Sequence, residues 1–96
     1  MHEAGLVQGV LEVVLEVAGD QPVDRARVRV GQRHFVEPAS FELYWRMLSE
    51  DTGAADSRLE LVAAPGDELL VEEIEVAGGN VIRNPRLSAL RREGSS

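Results

Sequence analysis

The sequence contains no cysteine. That absence removes disulfides, thiolate zinc sites, iron–sulfur clusters and thiol catalysis together. It also suits a reducing compartment, and a cytoplasmic location is expected. Lysine is missing as well, so all ten basic residues are arginine. Aromatic side chains are scarce: two Phe, one Tyr and one Trp. Apolar runs last only a few residues, too short for a membrane span or a signal-peptide core. Positive charge is in deficit, with a formal net charge of −7. A general nucleic-acid binder needs a basic face, and that class is excluded. What remains is a 96-residue chain, 44% hydrophobic and 28% charged, enough for one modest core.

Charge is unevenly distributed. Residues 1–76 hold six arginines and sixteen carboxylates, a net of −10, whereas residues 77–96 hold four arginines and Glu93, a net of +3. The break falls at Gly78-Gly79-Asn80, a turn or linker signal. The chain therefore divides into a body, 1–77, and a basic C-terminal extension, 78–96. Within the extension, Asn84-Pro85 followed by Leu87 and Leu90 suggests the start of a short helix, which would need a surface to dock on.

Residues 4 to 18 carry Val7, Val10, Leu11, Val14 and Val17/Ala18 at helical spacing, with Gln8, Glu12 and Glu16 opposite. Residues 24 to 30 alternate instead. Ala26, Val28 and Val30 face one way and Arg25, Arg27 and Arg29 the other, the pattern of a half-buried strand. Three like charges on one strand face suit an anion site, but in so acidic a body each arginine should find a carboxylate. Pro38 predicts the first position of a second helix, with Glu37 before it at the positive end of the dipole. Its stripe is Phe41, Tyr44, Trp45 and Leu48, a spacing typical of core rather than of a ligand-stacking box, and Gly53 is expected to end it. Leu59 and Leu61 alternate in a strand at 58–63. Another strand comes next with Leu69 and Val71, then Ile74 and Val76, its phase slipping at Glu72-Glu73 as a β-bulge would produce. The short Pro65-Gly66-Asp67 link predicts an antiparallel hairpin between these two strands.

The expected architecture is α+β in two layers: a mixed three-stranded sheet with two helices packed on one face, the strand order left open. Enzyme chemistry lacks its parts. Neither His2 nor His34 has a thiol to activate, no serine lies in a nucleophile-elbow pattern, and Gly78-Gly79 does not make a phosphate loop. The chain is not expected to be an enzyme.

The N-terminal residues are Met1-His2-Glu3. A bulky second residue should leave the methionine in place. A free amine, the next amide nitrogens and the His2 imidazole then gather at one terminus, a nitrogen-rich set suited to square-planar Ni(II) or Cu(II). Glu3 or Glu37 would add an oxygen ligand. Taken alone, a histidine at position 2 is more often simply an exposed terminal residue.

Met1-His2-Glu3, Leu6-Val7 and Val14-Leu15-Glu16 resemble the opening of the HypA/HybF hydrogenase-maturation nickel metallochaperones. So do Val36-Glu37-Pro38 with the helix Phe41 to Leu48, Thr52-Gly53 before Leu59-Glu60-Leu61, and the run Gly66 to Val76. The resemblance covers residues 1–76. It implies Ni(II) held by the N-terminal amine, nearby amides and His2. Met1 and Glu3 carry over with it, Glu37 falls near an acidic position of some members, and His34 has no secure counterpart. It also implies delivery to the [NiFe]-hydrogenase large subunit with a HypB-like GTPase as partner. The family carries a zinc module with two Cys-x-x-Cys pairs where this chain has only Ala64-Pro65-Gly66-Asp67, so no zinc is expected. The alternative implied by that loss is a metal-free HypA-like adaptor that docks on a hydrogenase or maturation protein.

Overall fold

The computed structural model describes residues 3–34 and 36–83. Met1, His2, Phe35 and residues 84–96 lie outside them. The element order is α1 (Glu3–Ala18), β1 (Val23–Gly31), a single 3-10 turn (Gln32–His34), α2 (Pro38–Ser49), β2 (Arg58–Ala64), β3 (Leu69–Val76) and β4 (Val81–Arg83).

α1 is rich in valine, which is mildly unfavourable in a helix, by at most ~0.7 kcal/mol per residue. Burial outweighs that cost, since fully covering a valine is worth roughly 1.5–3 kcal/mol, and Val7, Val10 and Val14 are completely buried. They pack with Ala26, Val28, Val71, Ile74 and Val76 of the sheet, and with Phe41 and Trp45 of α2, in one core. α2 starts at Pro38 with Glu37 as its cap residue, as expected. It stops at Ser49 rather than running to Gly53. Glu50 leaves the helical region (φ −57, ψ 138) and Asp51 turns the chain with φ 67. Thr52 Oγ1 then donates to the Ser49 carbonyl and accepts from the Ala54 amide. Asp51 thus takes the left-handed position expected of Gly53, whose carbonyl instead accepts from Val23 N at 2.8 Å.

The sheet is mixed, as expected, but has four strands rather than three, in the order β2-β1-β3-β4. β1 pairs parallel with β2 and antiparallel with β3. The expected β2–β3 hairpin does not form; β1 lies between those strands. Direct pairing would set Glu60 against a strand carrying Glu72, Glu73 and Glu75, and like charges across strands repel. With β1 inserted, Arg25 and Arg27 lie between Glu60 of β2 and Glu73 and Glu75 of β3 and bond all three, although Arg25 also faces Arg58 across the β1–β2 ladder. The hairpin is made instead by β3 and β4 through Ala77–Asn80, where Gly78 and Gly79 supply the positive φ values (91° and 85°) the turn needs. β4 therefore brings the first residues of the basic extension into the sheet. The bulge falls where the slipped phase placed it: Arg27 faces Glu73 and Val28 faces Val71, leaving Glu72 as the extra residue.

The link from β2 to β3 crosses the end of β1. Gly31 N donates to the Glu68 carbonyl at 2.6 Å and Arg33 N to the Gly66 carbonyl at 2.8 Å. A Cβ on Gly31 would collide with the Gly66 carbonyl and stand 2.5 Å from Glu68 N. Glycine is required here by close approach of two backbones.

Candidate metal centre

α1 runs antiparallel to β1 and α2 follows β1 through a short loop, so both helices begin near the end of the sheet where β1 stops. Their first residues touch. A Glu3 carboxylate oxygen, Oε2, accepts from the Glu37 backbone N–H at 2.9 Å. Glu37 makes no side-chain cap to its own helix; its Oε1 accepts from Ser40 Oγ at 3.3 Å. The structure thus brings together two of the four expected site residues, Glu3 and Glu37, separated by more than thirty positions in sequence. His2 precedes Glu3 in the sequence and, like Met1, lies outside the described residues. Sequence reasoning named both glutamates but missed the bond between them, and no local pattern signals it.

His34 is engaged elsewhere. Its Nε2 lies 3.0 Å from the Asp67 carbonyl oxygen. A carbonyl only accepts, so Nε2 must carry the proton, and that nitrogen is not available to a metal. Among the described residues no group of three or more His, Asp or Glu is arranged to hold a metal ion.

The arginine stripe is fully neutralised. Arg25 donates through Nη2 to Glu73 (2.9 Å), through Nε to Glu75 (3.1 Å) and through Nη1 to Glu60 (3.2 Å). Arg27 shares Glu60, Arg29 pairs with Glu68, and Arg83 of β4 reaches Glu73 at 3.0 Å. Donating to Glu73 and Glu75 raises the already high pKa of Arg25. The Arg25 and Arg83 guanidiniums hold the Glu73 carboxyl below the usual carboxylate range, and Arg27 does the same to Glu60. Guanidinium groups with this many carboxylate partners do not form an anion site. The aromatic stripe of α2 is likewise core: Phe41 is fully buried and Trp45 nearly so, its indole N–H donating to Ser57 Oγ at 2.9 Å.

Residues 1–69 match the family described as "Hydrogenase/urease nickel incorporation, metallochaperone, hypA". This chain belongs to the HypA family. It is 36% identical over 69 residues to a hydrogenase maturation factor HypA of Rhodopseudomonas palustris (strain BisA53), covering 69% of this chain and 61% of that protein. It is 29% identical over 69 residues to the HypA of Dechloromonas aromatica (strain RCB), covering 69% and 61%, and 26% identical over 66 residues to that of Trichodesmium erythraeum (strain IMS101), covering 69% and 58%. The chain thus spans about three fifths of the length of the HypA relatives it matches. The family match ends at Leu69, the first residue of β3, so the likeness read across residues 70–76 lies beyond it. Among the described residues, no helix of this HypA-family chain is long and apolar enough to cross a membrane.

Proposed function

We propose that this chain handles Ni(II) as cargo during maturation of a [NiFe]-hydrogenase large subunit, with a HypB-like GTPase as partner and without a zinc module. The metal is taken up at Met1-His2-Glu3, by the amine, neighbouring amide nitrogen and the His2 imidazole, with Glu3 and Glu37 as the adjacent carboxylates. The observation that supports this reading is the Glu3–Glu37 hydrogen bond. One oxygen of Glu3 accepts from the Glu37 backbone N–H and so fastens the start of α1 to the start of α2. Nitrogen donors of this kind suit Ni(II).

Protons compete for these ligands. The amine and imidazole have ordinary pKa values of about 7.7–8.0 and 6.5. Nickel must displace their protons and ionise an amide as well, so affinity falls steeply as pH drops. The test is calorimetric titration with Ni(II) of chain starting at Met1, the His2→Ala variant, the Glu37→Gln variant and a form with one residue added before Met1. Loss of binding in the His2→Ala and extended forms, with weakening in Glu37→Gln, is expected. Equal affinity in all four would leave the adaptor reading in its place.

A further inference from the structure

The helix layer is narrower than the sheet. α2 packs on β2, and α1 on β3 and β1, while β4 extends past them. Ile82 stands one strand out from the fully buried Ile74, on the helix side, and is only half-buried. Beside it runs the flank of α1 turned away from α2. Val13 and Val17 lie there one turn apart, both half-buried. Leu15, on the other flank, lies against Gly53 in the loop after α2. Next to the two valines are Glu12 and Glu16, exposed and paired with no cation among the described residues.

The chain leaves β4 at Arg83, opposite Glu73, on this same edge of the sheet. It continues as Asn84-Pro85-Arg86-Leu87-Ser88-Ala89-Leu90-Arg91-Arg92. Asn and Pro are in the order favoured at a helix cap and first position. The two leucines are three apart, matching one turn, and three arginines accompany them. We infer that residues 84–92 cover the strip formed by Val13, Val17 and Ile82, with Leu87 and Leu90 on the valines and the arginines beside Glu12 and Glu16. Three things select this occupant over a foreign one. The segment needs no linker to reach the strip, its apolar spacing matches, and its charge is opposite to that of α1, which has acidic residues and no basic one. A helix this short is marginal alone and depends on such a surface. This inference is independent of the nickel reading.

A chain without cysteine allows a single clean label. A nitroxide on Ser88→Cys should broaden the amide resonances of residues 13–17 and 82 and leave those of Leu43 and Met47, exposed on α2, sharp. Leu87→Ser with Leu90→Ser should abolish the broadening in a protein that still folds. Truncation after Arg83 should speed amide exchange at residues 13–17 about tenfold or more. Sharp resonances at 13–17 in the labelled chain, or unchanged exchange on truncation, would overturn the inference. So would broadening of isotope-labelled chains mixed with separate nitroxide-bearing ones, which would make the occupant a second copy.

Discussion

Gly31→Ala is the sharpest test of the crossing at the end of β1. The added methyl would meet backbone atoms of Gly66 and Glu68 rather than a flexible side chain, so the loop itself has to move. Moving it stretches the Gly31 N to Glu68 O and Arg33 N to Gly66 O hydrogen bonds, now 2.6 and 2.8 Å. Overpacking costs typically 1–3 kcal/mol and each weakened bond about 0.5–1.5 kcal/mol. Partial relaxation keeps the sum near 2–4 kcal/mol, a large part of a total stability of ~5–15 kcal/mol. In a domain of this size that corresponds to a fall in Tm of roughly 10–20 °C. Circular dichroism melts of the parent and the variant measure it directly, and Gly5→Ala, at an open helical position, is the control. A Gly31→Ala variant melting with the parent would refute the close approach, and with it the path of the β2–β3 link.

Acid should weaken the fold through the Arg25 network. Glu73 and Glu60 titrate below the ordinary carboxylate range when folded; their contribution is therefore complete above the unfolded value of about 4.3 and is lost as pH falls through the lower folded values. Urea midpoints at pH 7 and pH 3 should differ less for Glu73→Gln than for the parent. Trp45→Phe removes the 2.9 Å bond to Ser57 and should cost about 0.5–1.5 kcal/mol in chemical denaturation. A short Gly/Ser insertion after Pro65 should be well tolerated, whereas one between Gly66 and Asp67 separates carbonyls bonded to the end of β1 and to the 3-10 turn after it and should lower Tm clearly. EDTA should leave Tm unchanged, because no cysteine is present to couple a structural zinc to folding.

The features legible in the residues alone were local. The alternation of Arg25 to Val30, the Pro38 helix start, the Phe41–Trp45 stripe and the slip at Glu72-Glu73 each depend on neighbours within one element. Strand order does not. A four-residue link reads as a hairpin, yet such a link spans about 13 Å extended, more than the ~10 Å across one intervening strand. Length alone admits both topologies, and the ion pairs that β1 makes with both neighbours are visible only once the strands are placed. β4 is three residues long, too short to show a period. The Glu3–Glu37 contact joins the starts of two helices and is a product of packing, so residue types pointed to each glutamate but not to their meeting.

The central position of β1 has a kinetic consequence. Both of its neighbours are distant in sequence: Arg25 is set against Arg58 on one side and Glu75 on the other. β1 is made early in the chain but can be paired on neither edge until β2 and β3 exist. Of the β contacts among the described residues, only those of the β3–β4 turn are local. A sheet assembled from non-local pairings closes large loops before gaining contacts, so folding should be slower than for a helical bundle of equal size. Substitutions in the β1–β3 ladder, such as Val28→Ala, should slow refolding, whereas changes at the exposed Leu43 or Met47 should leave both arms of the chevron in place.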